Sequence, residues 1–151
     1  MTQEDKDLLL RDLCARLPYG VICKTSKGNG HLCSIDQTIF GIEYGINIKS
    51  TERDYFNDKE EIIKPYLRPM SSMTKEEEDE LCELCTLSDC NINADWECCG
   101  VEIIQSHPRY GTYFSTDYSV IDWLNKNMFD YRGLILKDLA ISTEVFNPYK
   151  D

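Results

Sequence analysis

The sequence predicts an α+β fold in two parts. An N-terminal helix with a small bent antiparallel sheet comes first, and a helix–hairpin–helix unit follows. Three observations carry this. Residues 3–17 repeat apolar positions at helical spacing, and residues 20–49 change to short apolar runs divided by glycine and polar turn residues. Residues 74–135 open and close on helical spacing, with a strand–turn–strand pattern between.

The first helix has Thr2 as its cap, with Asp5 three residues on. Leu9, Leu10, Leu13, Cys14 and Leu17 form its apolar stripe, while Lys6, Asp7, Arg11 and Asp12 are expected to face solvent. Pro18 stops it. Strands are expected at 20–25 and 31–35, joined by Ser26-Lys27-Gly28-Asn29-Gly30. Asp36-Gln37 reads as the next turn. Thr38 to Lys49 is β-rich and broken by Gly41 and Gly45, which suits a bulge or a bend and a small, partly open barrel. Asn57 to Lys64 reads as a short helical or irregular turn.

Pro65-Tyr66-Leu67-Arg68-Pro69-Met70 lies between two compositional regimes, so the expected organisation is a subdomain at 1–64, a packed connector at 65–73 and an acidic subdomain at 74–151. Thr74 and Glu77 form a capping box for a helix running to about Thr86, with Leu81, Cys82, Leu84 and Cys85 on its buried face. Val101 to Gln105 and Thr112 to Phe114 read as strands around a turn. A last helix starts near Ser119 and buries Val120, Ile121, Leu124 and Met128, with Gly133 as its stop signal. Leu134–Leu136 and Leu139–Ile141 read as a strand or an ordered arm, and 147–151 as a frayed end.

The chain has 151 residues, enough for one ordinary core or two small ones that lean on each other. No stretch approaches the roughly 18–20 apolar residues of a membrane span. The opening Met1-Thr2-Gln3-Glu4-Asp5-Lys6-Asp7 is acidic and polar, unlike a signal peptide, so the expected location is the cytoplasm. There the eight cysteines stay reduced, and several serve as small core residues. Residues 1–70 carry 10 Lys/Arg against 11 Asp/Glu, and residues 71–151 carry 6 against 16, which accounts for the net charge of −11. An acidic half repels nucleic-acid phosphates, so direct DNA or RNA binding is disfavoured.

Two strings stand out. Pro65-Tyr66-Leu67-Arg68-Pro69-Met70-Ser71-Ser72-Met73-Thr74 is followed by Asp122-Trp123-Leu124-Asn125 and Phe129-Asp130-Tyr131-Arg132-Gly133-Leu134-Ile135. In these the chain resembles a set of small uncharacterised proteins of Bacteroides-type gut bacteria, their prophages and mobile elements. The resemblance implies a mobile-DNA origin and carries no activity, cofactor or catalytic residues. Asp138 departs from it by standing where a Gly often follows the Arg-Gly-Leu-Ile segment. The cysteine cluster also lies outside the shared pattern.

Candidate sites were weighed against packing roles. Cys82, Cys85, Cys90, Cys98 and Cys99, with His107, supply enough thiolates for Zn²⁺. Cys82 and Cys85 lie inside a helix pattern, however, and adjacent Cys98 and Cys99 point to opposite faces of a strand, so buried thiols are the favoured reading and no metal or other cofactor is expected. Carboxylates around these thiols would raise their pKa, which argues against a reactive cysteine. Nothing fixes a catalytic geometry for His31 or His107, and no phosphate-cradling or nucleotide-binding motif is present. The acidic run at Glu76–Glu80 suits a solvated helical turn, or else mimicry of a nucleic-acid backbone. Trp123, Tyr131 and Arg132 are residue types enriched at interface hot spots. The favoured reading of these side chains is structural, with Trp and Tyr capping a core and Arg132 locked on Asp122 or Asp130. The functional expectation is a non-enzymatic protein-binding or regulatory module that meets its partner through Trp123, Tyr131 and Arg132. The alternatives are a zinc-stabilised adaptor and an acidic nucleic-acid mimic.

Overall fold

The computed structural model describes residues 1–49, 52–59, 61–84, 104–107, 111–114 and 118–150. It is a mixed α+β fold: an N-terminal helix, a six-stranded sheet and later helices.

Helix α1 spans Gln3–Arg16 and starts as the sequence predicts. Thr2 Oγ1 accepts the Asp5 N–H, and the Asp5 carboxylate accepts the Thr2 N–H, closing the capping box. Its buried positions are Leu9, Asp12, Leu13 and Arg16, the i, i+3, i+4, i+7 spacing of one helical face. Two of the four are charged, and Asp12 therefore does not face solvent as expected. Cys14 is exposed instead of buried.

The sheet has strand order β4-β3-β2-β1-β5-β8. Its strands are β1 (Ile22–Thr25), β2 (Gly28–Thr38), β3 (Gly41–Lys49), β4 (Glu52–Asn57), β5 (Lys64–Leu67) and β8 (Ile141–Ser142). It is an open sheet with β4 and β8 at its edges, not a barrel. Neighbours pair antiparallel except β5 with β8. The β1–β2 and β2–β3 turns follow one scheme. Thr25 Oγ1 donates to Gly28 O at 2.8 Å and accepts the Lys27 N–H, while Thr38 Oγ1 donates to Gly41 O at 3.0 Å and accepts the Phe40 N–H. Gly28 and Gly41 close these turns at φ 137° and 135°, which an L side chain rarely adopts.

That scheme relocates the second turn. Asp36-Gln37 does not turn but continues β2, and the chain reverses at Ile39-Phe40. The reversal follows the Thr-x-x-Gly frame and not the polar dipeptide. The sequence reading also missed β4 and placed Pro65–Leu67 in a connector, whereas these residues form most of β5, inside the sheet.

Two cores result. Leu9 and Leu13 of α1 cover the sheet residues Cys23, Leu32, Tyr44, Ile46, Phe56 and Leu67, with Val21 just before β1. Met128, Leu134, Leu139 and Ala140 complete this first core from the C-terminal part of the chain. The second core gathers Leu81 of α2 (Lys75–Leu84), Val120, Trp123 and Leu124 of α3 (Tyr118–Lys126), and Phe129 and Tyr131. Between α2 and α3 in sequence, β6 (Ile104–His107) pairs with β7 (Gly111–Phe114). Near the C-terminus Tyr149 is not frayed: its hydroxyl accepts the Ile22 N–H and donates to Tyr66 O.

Helix α3 ends earlier than the glycine signal suggests. Phe129 N–H donates to Leu124 O and Met128 N–H to Asn125 O, the two-bond pattern of a Schellman stop. Met128, at φ 59°, takes the left-handed position that glycine usually fills, and Gly133 serves a later turn at φ 70°.

Candidate functional site

The two motif strings meet in space. Arg68 N–H donates to Met128 O and Asp130 N–H donates to Arg68 O, both at 2.8 Å, so the segment after β5 runs beside the segment after α3. The Arg68 guanidinium lies 4.1 Å from the centre of the Phe129 ring, and Trp123 stacks on Phe129 at 5.6 Å with 12° between planes. Arg68 also grips Glu77 through two bonds of 2.6 and 2.8 Å and donates to Ser72 O. Glu77 in turn accepts the Thr74 N–H, while Thr74 Oγ1 accepts the Glu77 N–H, the capping box predicted for α2. Arginine over an aromatic face with a bidentate carboxylate is a strong fixed arrangement.

A second cluster adjoins it. Asp12 accepts two bonds from Arg16, at 2.8 and 3.1 Å, and one from Arg132 Nη1 at 2.8 Å. Arg16 Nη2 also donates to Phe129 O at 2.7 Å. Asp12 and Arg16 are fully buried. Tyr131 lies against both arginines, 5.6 Å from Arg16 and 4.5 Å from Arg132, and its hydroxyl donates to Asn125 Oδ1. Burial raises the Tyr131 pKa above the ordinary phenol value. The Asp130 carboxylate accepts the Leu134 and Ile135 N–H groups, and its pKa is nevertheless raised, first by burial.

The structure thus brings Trp123, Tyr131 and Arg132 into one largely buried neighbourhood. Trp123 and Tyr131 are 8% and 9% exposed, and the Arg132 side chain 19%. The sequence offered Asp122 or Asp130 as the partner of Arg132; the partner is Asp12. Asp130 is already taken by two backbone amides. The cluster holds α1 to the segment after α3, and no nucleophile stands beside a general base in it.

Cys82 lies on α2 and His107 on β6, while Cys85, Cys90, Cys98 and Cys99 lie outside the described residues. Among the described residues no three His, Cys, Asp or Glu side chains are placed to hold a metal ion. His31 Nδ1 donates to Gly20 O at 3.0 Å, and Cys23 is buried, its pKa raised by desolvation. Neither His31 nor a cysteine lines the cleft beside α1 or the one beside the β1–β2 turn. In the acidic run, Glu77 is held by Arg68, and Lys75 pairs with Glu78 and Asp79.

The sequence reading missed the β2–β3 turn. Ile39 is 92% exposed and Phe40 70%. The signal was present in the repeated frame, Thr25-Ser26-Lys27-Gly28 and Thr38-Ile39-Phe40-Gly41. The first frame shows that polar residues fill the two central positions without loss of the turn bonds. The apolar pair in the second is therefore not required by the turn. The tip has a mixed-charge surround: Asp36 and Glu43 face each other across the hairpin, Asp58 Oδ1 accepts the Ile42 N–H and pairs with Lys6, and Lys59 lies beside Gly41. No helix among the described residues is long and apolar enough to cross a membrane.

No protein-family model matches the chain, and neither a curated protein nor a solved structure is significantly similar to it.

Proposed function

We propose that the protein is a non-enzymatic binding module for another protein, and that the contact is made by the Ile39-Phe40 tip of the β2–β3 hairpin. One observation carries the reading. Two hairpin turns share the same Thr-x-x-Gly bonds, and only one of them presents large apolar side chains to solvent. Scattered exposed apolar residues need no explanation, but a pair set on a projecting turn that does not need them is suited to docking. Trp123, Tyr131 and Arg132, the contact residues expected from sequence, support the tip at one remove by fixing the fold. An origin in phage or mobile DNA is supported by the two motif strings.

A photoreactive benzoylphenylalanine in place of Phe40 tests this in extract of the source cell. Tyr118, 89% exposed, is the control position. The expected result is a single protein adduct at position 40, absent at position 118. Excess wild-type protein should compete it away, and the Ile39→Ser/Phe40→Ser variant should not. Equal adducts at both positions, none at either, or equal competition by both proteins would overturn the reading.

A further inference from the structure

We infer that residues 141–150 form a detachable strap, latched into the sheet by the Tyr149 hydroxyl, which opens and closes over the folded remainder and covers the outer side of β5 when closed. The inference goes beyond the contact made by the Ile39-Phe40 tip and does not depend on it. It starts from the register between β1 and β5, which pairs Cys23 with Pro65 and Lys24 with Lys64 and stops there. The next rung would set Ile22 opposite Tyr66. On its other side, β1 meets β2 through Val21, whose carbonyl accepts the Leu32 N–H at 2.9 Å. Bonding alternates along an antiparallel strand, so Ile22 turns its N–H toward β5. The Tyr149 hydroxyl stands in that rung. It accepts the Ile22 N–H at 3.1 Å and donates to Tyr66 O at 3.0 Å.

A side chain thus replaces a strand at one point of the sheet. Beyond it β5 is paired again, since Arg68 N–H donates to Met128 O and Asp130 N–H to Arg68 O. Ile22 and Tyr66 are 8% and 4% exposed. Without the hydroxyl, a buried N–H and a buried C=O would lose their partner, which a folded chain seldom tolerates. Burial pushes the Tyr149 phenol pKa up, so the hydroxyl keeps the proton it donates.

The rest of the strap is lightly held. Leu139 and Ala140 still belong to the first core, but of residues 141–150 only Thr143 is buried, and Val145 is 82% exposed. β8 has two residues. Thr143 N–H donates to Leu67 O, and the Phe146 ring lies 5.6 Å from that of Tyr66. Tyr149 packs at the margin of the first core. Segments with few buried apolar contacts open locally, ahead of the elements they cover. Opening would make β5 the edge of the sheet and bare Leu67 O on one side and the Ile22–Tyr66 rung on the other. Closed, the strap removes an edge on which another chain could pair.

Amide hydrogen exchange of the full chain, followed by NMR, tests the strap. Ile22 lies in a central strand, yet its amide should exchange together with that of Thr143, and both about tenfold or more faster than Leu32. Their exchange should also depend less on urea than that of Leu32, because the opening exposes little surface. Tyr149→Phe should raise the Thr143 rate about tenfold or more relative to Leu32. If Tyr149→Phe fails to fold, the wild-type rates decide alone. Exchange of Ile22 and Thr143 at the Leu32 rate would show one cooperative unit and no strap. Fast exchange of Thr143 with Ile22 held at the Leu32 rate would show that Tyr149 stays in place and is not the latch. Either outcome overturns the inference.

Discussion

Arg132 Nη1 donates to Asp12 Oδ1 at 2.8 Å, tying a residue beyond the last helix to the buried face of the first. Asp12 is shared with Arg16, and both of these side chains are fully buried. Removing the shared anion takes away the ion-pair partner of Arg16. Breaking a buried pair in this way costs about 3–5 kcal/mol. Asp12→Ala should lose that much in urea unfolding. Arg132→Ala should lose less, about 1.5–3 kcal/mol for a hydrogen bond to a charged group, because Arg16 still holds Asp12. A loss under about 1 kcal/mol for Asp12→Ala would show that the cluster does not hold the fold.

Trp123 carries a separate prediction. It stacks on Phe129 beneath the Arg68 guanidinium and is 8% exposed. Truncating a buried aromatic of this size costs about 3–5 kcal/mol. Trp123→Ala should therefore lower the thermal midpoint strongly, while Ile39→Ser/Phe40→Ser, both at exposed positions, should stay within about 0.5 kcal/mol of wild type. A stable Trp123→Ala variant that no longer meets the partner would return the contact to the second core.

Acid should weaken the grip between the two motif strings. The Arg68 bonds, chiefly, and the Thr74 backbone N–H hold the Glu77 carboxyl below its ordinary value of 4.5. A carboxylate with a depressed folded pKa stabilises above its unfolded pKa, and that contribution disappears as pH falls through the folded value. Stability should therefore drop on acidification below about pH 4.5. Glu77→Gln should be about 1 kcal/mol less stable at neutral pH and show a smaller drop over the same range. Parallel pH profiles for the two proteins would remove Glu77 as the cause. Urea midpoints at pH 7 and at successively lower pH measure this.

How far the sequence was legible follows from where its signals are local. The Thr2–Asp5 and Thr74–Glu77 caps depend on residues three apart, and both form as read. The burial of Asp12 depends on Arg132, which no local pattern can reveal. The Ile39-Phe40 turn was overlooked because apolar residues were read as strand, although Thr38 and Gly41 frame a turn just as Thr25 and Gly28 do. The two motif strings meet in space, where Arg68, Trp123 and Phe129 stack and Glu77 holds Arg68. Trp123, Tyr131 and Arg132 hold packing and hydrogen-bonding positions in that unit.

Two left-handed residues separate backbone strain from side-chain burial. Met128 and Asp138 have φ 59° and 57°. Each closes the same two-bond turn, since Leu139 N–H donates to Leu134 O and Asp138 N–H to Ile135 O, as Phe129 N–H does to Leu124 O and Met128 N–H to Asn125 O after α3. An L residue there costs about 1–2 kcal/mol against glycine, less for Asp. At Asp138 the side chain is 90% exposed and its pair with Lys64 is a surface one, worth about 0–1 kcal/mol. Asp138→Gly should equal or exceed wild type by up to about 1 kcal/mol, and should exceed Asp138→Ala by about 1–2 kcal/mol, the pair being absent from both. Met128 is 6% exposed and packs in the first core. Losing that side chain costs about 2–5 kcal/mol, more than the backbone relief returns. Met128→Gly should thus fall below wild type by about 1–3 kcal/mol, yet remain above Met128→Ala. If Met128→Ala proves the more stable of the two, the left-handed assignment at the end of α3 is wrong, and the helix stops by another means.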